Sequence, residues 1–149
     1  RHFGFKKFVG CNNSIHSGRK VINYFNNKKT TVNIGMIDLR KAFDKVNYFG
    51  LLCMMHDKKI NINVINVLEN WFSKNFTSFK YCNYMSPKVH LESGVKQGGI
   101  LSPVLFSLFV DSVLIKLNNS GLGCFINLNC YNSYMYADDL ILLSITATD

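Results

Sequence analysis

The feature that most constrains this 149-residue chain is a pair of adjacent acids, Asp138 and Asp139, set between the apolar runs YMYA and LILL. Apolar sequence on both sides of a short polar tip reads as a β-hairpin, with strands over 131–137 and 140–144 and a tight turn at Asp138-Asp139. Such a hairpin buries its strands and presents its tip. Asp suits turns, which accounts for one acid. It accounts less well for two, because carboxylates about 4 Å apart repel by about 4 kcal/mol at an effective dielectric of 20. A divalent cation would remove that repulsion, since hard cations take carboxylate oxygens.

A third acid strengthens the metal reading. Asp38 closes the run VNIGMID, residues 32–38, which reads as a strand. If that strand pairs with the 131–144 hairpin, three carboxylates meet at one edge of a sheet. Two magnesium ions held by such a set can activate an attacking hydroxyl and stabilise a leaving pyrophosphate. The charge balance agrees: 17 basic residues against 9 acids give a net charge of +8. That excess suggests a polyanionic partner, nucleic acid ahead of anionic membrane.

The rest of the chain supplies the frame. Ile15, Gly18, Ile22 and Phe25 step by three and four, which predicts a helix over 13–28 capped by Asn13 or Ser14. Helices are predicted over 47–58 and 63–74, with Ile65, Leu68 and Phe72 on one face of the second. Residues 77–93 read as a hairpin through Ser86-Pro87. Ser102-Pro103 reads as a helix start, with Ser as cap and Pro in the first turn. That helix is expected to reach about Leu117 with Leu105, Phe109 and Val113 inward, and a strand is expected over 124–128. This mixed order predicts an α+β fold with a largely antiparallel sheet. The five cysteines have no zinc spacing and read as reduced thiols. No run reaches the roughly 18 apolar residues that span a bilayer. The chain starts at Arg1 and stops just past an apolar run, so both ends read as cut.

Four segments carry a family resemblance. HFGFK (2–6) resembles a QxGFR element, with His2 and Lys6 as departures; IDLRKAFDKV (37–46) resembles motif A, SGVKQGGILSPVLFSLFVD (93–111) motif B, and YADD (136–139) motif C. In this order they resemble the palm region of reverse transcriptases, most closely those of non-LTR, LINE-like retrotransposons. The resemblance implies a polymerase palm, an antiparallel sheet backed by helices, with part of the fingers and truncation at both ends. Residues 1–149 would then be a partial reverse transcriptase domain. The implied activity is RNA-directed DNA polymerisation with two Mg²⁺ ions, Mn²⁺ being an alternative. RNA template, DNA primer and dNTPs are the implied partners, in an intracellular setting, nuclear or in a cytoplasmic ribonucleoprotein.

The family pattern also implies roles. Asp38 and Asp138 would be the principal metal ligands, with Asp139 in support and the Leu39 carbonyl as a further ligand. Backbone N–H groups at Lys41 and Ala42 would hold the triphosphate. Phe43 would lie under the sugar and disfavour a 2′-hydroxyl, with a core aromatic as the lesser alternative. Gln97 and Gly98 would pack against the incoming nucleotide, and Tyr136 and Ala137 would stand near the primer end. Arg40, Lys41, Lys45 and Lys96 are candidates for phosphate contact, whereas Asp44 and Asp111 read as local structural acids. The final strand, LILLS, is expected to be left uncovered. Two rivals are a group II intron-type reverse transcriptase or maturase, and an inert nucleic-acid-binding remnant.

Overall fold

The computed structural model describes residues 3–4 and 10–146. His2, Phe5 and Lys6 of the HFGFK segment therefore lie outside the described residues. In chain order the elements are α1 (Cys11–Asn27), β1 (Asn33–Asp38), a 3-10 turn (Phe43–Lys45), α2 (Tyr48–Asp57), α3 (Ile62–Ser73), β2 (Phe76–Thr77), β3 (Lys80–Tyr81), β4 (Tyr84–Met85), β5 (Val89–His90), α4 (Ser102–Asn119), β6 (Phe125–Ile126), β7 (Asn129–Cys130), β8 (Ser133–Tyr136) and β9 (Asp139–Ser144). Every strand pairing among them is antiparallel, as expected. The chain divides into two compact units, one made of residues up to Ala42 and from Val110 onward, the other of Phe43–Phe109.

The first unit is built on a three-stranded sheet in the order β1-β9-β8. Its core gathers Val21 and Phe25 from α1 with Cys124, Tyr134 and Leu143. The α1 cap is Gly10, not Asn13 or Ser14; the Asn13 side chain instead accepts from the Gly10 N–H. Phe3 adds to the sheet by donating its N–H to the Met135 carbonyl and stacking on Tyr134. Gly123, at φ +115°, is fixed by space as well as by angle: a Cβ there would lie 2.3 Å from Asn132 Cβ. The expectation of an uncovered last strand fails, because β9 is the central strand and buries Leu140 and Leu143. The uncovered strand is β1, exposed along its whole length.

The second unit packs α2 and α3 through Leu51, Met55, Ile65, Leu68 and Phe72, all buried. Burial of each such side chain stabilises by about 1.5–3 kcal/mol. Tyr48 stacks on Phe72 with centroids 4.1 Å apart; its hydroxyl donates to the Gly94 carbonyl and accepts from Asn75 Nδ2. Burial pushes the Tyr48 phenol pKa up, with the Asn75 hydrogen bond opposing. Residues 76–90 form a hairpin arm, β2 with β5 at its base and β3 with β4 at its tip. The arm turns at Cys82-Asn83, not at Ser86-Pro87. Ser86 is held in the ladder by Phe79, whose carbonyl accepts the Ser86 N–H and whose N–H donates to the Ser86 hydroxyl. On α4 the buried apolar positions are Leu105, Phe106, Val110 and Leu114, whereas Val113 is exposed and Phe109 half-buried. The stripe is thus one residue out of phase with expectation beyond Leu105.

Candidate active site

The sheet of the first unit brings the acids together by register. β1 and β9 pair so that Asp38 stands directly opposite Asp139. Opposite residues in an antiparallel pair share a face, with Cβ atoms roughly 4.5–5.5 Å apart. β8 and β9 close at Tyr136↔Asp139, so the two-residue turn is Ala137-Asp138 and Asp139 is already the first strand residue. This corrects the expected Asp138-Asp139 turn. The shift follows from Ala137, which takes the left-handed conformation at φ +53° that such a turn needs. The Leu39 N–H donates to the Asp138 carbonyl at 3.2 Å, which ties the end of β1 to the turn.

Asp38 and Asp139 are exposed and Asp138 is half-buried. Among the described residues no three His, Cys, Asp or Glu side chains form a ready metal-ligand cluster. What the fold provides is backbone placement: three carboxylates within two strands and one turn. That donor set, all oxygen and all anionic when ionised, is of the chemical type that a hard divalent cation would take.

Just after β1 the chain turns through 40–42. Lys41 is exposed and left-handed at φ +54°. A left-handed residue in such a turn is one ingredient of the backbone nests that take anions. Ala42 follows, half-buried.

In the second unit, Phe43 opens the 3-10 turn and stacks on Phe106, centroids 4.7 Å apart. Phe106 is buried and Phe43 is half-buried. Residues 93–95 zip onto this turn: Val95 N–H donates to the Phe43 carbonyl and Gly94 N–H to the Val46 carbonyl. A Cβ on Gly94 would press on the Asp44 backbone at 3.0 Å.

Gln97 and Gly98 occupy the middle of a turn whose Lys96 carbonyl accepts the Gly99 N–H at 3.0 Å. Gly98 has φ +80°, as the third position of a type II turn requires. Both Gln97 and Gly98 are exposed. The Ser102 hydroxyl donates to the same Lys96 carbonyl at 2.6 Å. Ser102 therefore locks this turn and does not cap α4 with its side chain, contrary to the sequence reading. Sequence reasoning missed this clasp and the Gly94 contact. The available signal was the density of small residues flanking Gln97, which marks close backbone packing.

Tyr136 is exposed and Ala137 half-buried at the hairpin tip, beside Asp139 and Asp138 respectively. The structure thus gathers Asp38, Leu39, Tyr136, Ala137, Asp138 and Asp139 at one end of one sheet. It sets Phe43, Gln97 and Gly98 in the other unit.

Comparison with known proteins bears on this arrangement. A family model described as reverse transcriptase (RNA-dependent DNA polymerase) matches residues 2–149. A retrovirus-related Pol polyprotein from type-1 retrotransposable element R2 of Popillia japonica is 32% identical over 117 residues, covering 78% of this chain and 19% of that protein. The Pol polyprotein from type-2 retrotransposable element R2DM of Drosophila melanogaster is 27% identical over 146 residues, 98% of this chain and 14% of that protein. A probable RNA-directed DNA polymerase from transposon BS of the same fly is 28% identical over 148 residues, 99% of this chain and 14% of that protein. The chain thus spans less than a fifth of the length of these relatives.

Proposed function

The chain belongs to the reverse transcriptase family, and from that premise we propose that it carries the catalytic centre of an RNA-directed DNA polymerase of a non-LTR retrotransposon. The observation that carries this reading is the register Asp38↔Asp139 with Asp138 in the adjoining turn. The motif order and the register of Asp38 with Asp139 both support a role for these acids. The three-stranded sheet is then the palm. The relatives are proteins of retrotransposable elements, which favours this lineage over a group II intron enzyme.

In this reading Asp38, Asp138 and Asp139, with the Leu39 carbonyl, hold two Mg²⁺ ions. The chemistry supplied by bound ions is activation of the primer 3′-hydroxyl and neutralisation of charge on the departing pyrophosphate. The protein's own part is placement, because nucleotidyl transfer leaves little covalent work to side chains. The Lys41 and Ala42 N–H groups hold the triphosphate. Phe43, backed by Phe106, offers a fixed ring edge against a 2′-hydroxyl. The Lys96–Ser102 clasp fixes the backbone of the Gln97-Gly98 turn, and by the family resemblance Gln97 and Gly98 contact the nucleotide and Tyr136 and Ala137 the primer end. RNA template, DNA primer and dNTPs are the partners, met in a nuclear or cytoplasmic ribonucleoprotein.

The test is primer extension by the full-length protein on an RNA template with a DNA primer, dNTPs and Mg²⁺. The expected product is RNA-templated DNA that disappears on chelation. Template binding with no extension would instead identify an inert remnant.

A further inference from the structure

We propose that the tip of the hairpin arm, residues 79–84, is a stacking platform for single-stranded nucleic acid. This goes beyond nucleotidyl transfer and does not depend on it. Tyr81 and Tyr84 are directly opposite partners in β3 and β4, closing on the Cys82-Asn83 turn. Cross-strand partners place their side chains on one face. Both are 81% exposed. Phe79 lies two residues from Tyr81, on the same face by strand alternation, and is 70% exposed. Its backbone is fixed by two 2.8 Å hydrogen bonds with Ser86, so the tip is an ordered ladder. The tip thus holds three exposed aromatic side chains on one face, outside the core of the described residues.

Charge identifies the occupant. Residues 74–92 contain Lys74, Lys80 and Lys88 against a single acid, Glu92. Lys80 projects from the face opposite the rings, being the partner of Met85 rather than of an aromatic. Aromatic faces accept any base by stacking, and the arm's excess of lysines over acids favours a polyanionic strand through its overall charge rather than by contact on the ring face; rings in a net-positive setting are the recognition mode of sequence-tolerant single-strand binders. Self-association through the same face would bring together two arms of like net charge, each with three lysines against one acid.

The test measures binding of a fluorescent single-stranded RNA oligonucleotide to the full-length protein in metal-free buffer. Wild type, Tyr81→Ala/Tyr84→Ala and Tyr81→Phe/Tyr84→Phe are compared, with an abasic strand of equal length alongside. Stacking on two rings predicts that the alanine pair weakens binding by about tenfold or more. The phenylalanine pair should stay within about threefold of wild type, because stacking needs the ring and not the hydroxyl. Wild type should prefer the base-bearing strand, and the alanine pair should lose that preference. Equal affinity of wild type and the alanine pair would overturn the proposal, as would an alanine pair that changes only oligomeric state. Thermal melts check folding, and the phenylalanine pair keeps the comparison informative if the alanine pair melts early. Extension activity separates this inference from the polymerase reading: a failed platform with intact extension would leave that reading standing.

Discussion

Ala137 holds the acid-bearing turn at φ +53°, a region where an L side chain costs about 1–2 kcal/mol. Backbone strain of this kind persists only where the surroundings fix it, here the pairing of Tyr136 with Asp139 on one side and the Leu39–Asp138 hydrogen bond on the other. Ala137→Gly should therefore raise stability by about 1 kcal/mol, read as a higher urea midpoint at unchanged slope. A lower midpoint would show that the methyl group's packing outweighs the strain. Phe43 permits a second residue-scale prediction. Phe43→Val removes a ring stacked on Phe106 and should cost about 1–2 kcal/mol of stability. In the full-length enzyme it should also raise ribonucleotide incorporation relative to deoxyribonucleotide incorporation. An unchanged ratio, with the stability loss alone, would make Phe43 a packing residue only.

At the scale of elements, what was legible in the sequence is what a local period can express. The helix over Ile62–Ser73 and its buried face of Ile65, Leu68 and Phe72 follow from spacing alone, as does β1 ending on Asp38. Positions decided by distant contacts were not legible. Ser102 follows a helix-start pattern, yet its hydroxyl goes to Lys96 because the turn ahead of the helix folds back within reach. The Ser86-Pro87 dipeptide looks like a turn, yet Ser86 pairs with Phe79 and the turn falls at Cys82-Asn83. The covering of LILLS was misjudged because strand order is tertiary information: β9 is last in the sequence and central in the sheet. The element left open is β1, with Ile34 46%, Met36 79% and Ile37 44% exposed. An apolar edge strand is a template for pairing with another chain. Met36→Lys should raise the concentration at which the chain stays monodisperse in light scattering. Because the site is exposed, its melting should change by no more than about 0.5 kcal/mol equivalent. Unchanged aggregation would locate the sticky surface elsewhere.

For the molecule as a whole, the site residues come from segments far apart in sequence, and the first unit joins the two that hold acids, β1 and the β8–β9 hairpin, in one sheet. The sheet register sets the backbones of Asp38 and Asp139 opposite each other, whereas among the described residues the side chains form no three-ligand cluster. The most direct measurement is single-turnover primer extension by the full-length protein carrying Asp138→Asn, beside wild type, at saturating template and Mg²⁺. The substitution preserves size and the Asp138 backbone carbonyl that receives the Leu39 N–H. A metal-ligand role for Asp138 predicts a rate about a hundred- to a thousandfold lower, on the scale of losing an electrostatic stabiliser of the transition state, with template affinity and melting temperature unchanged. Extension at the wild-type rate by Asp138→Asn would contradict the assignment of the acid-bearing hairpin as the catalytic centre.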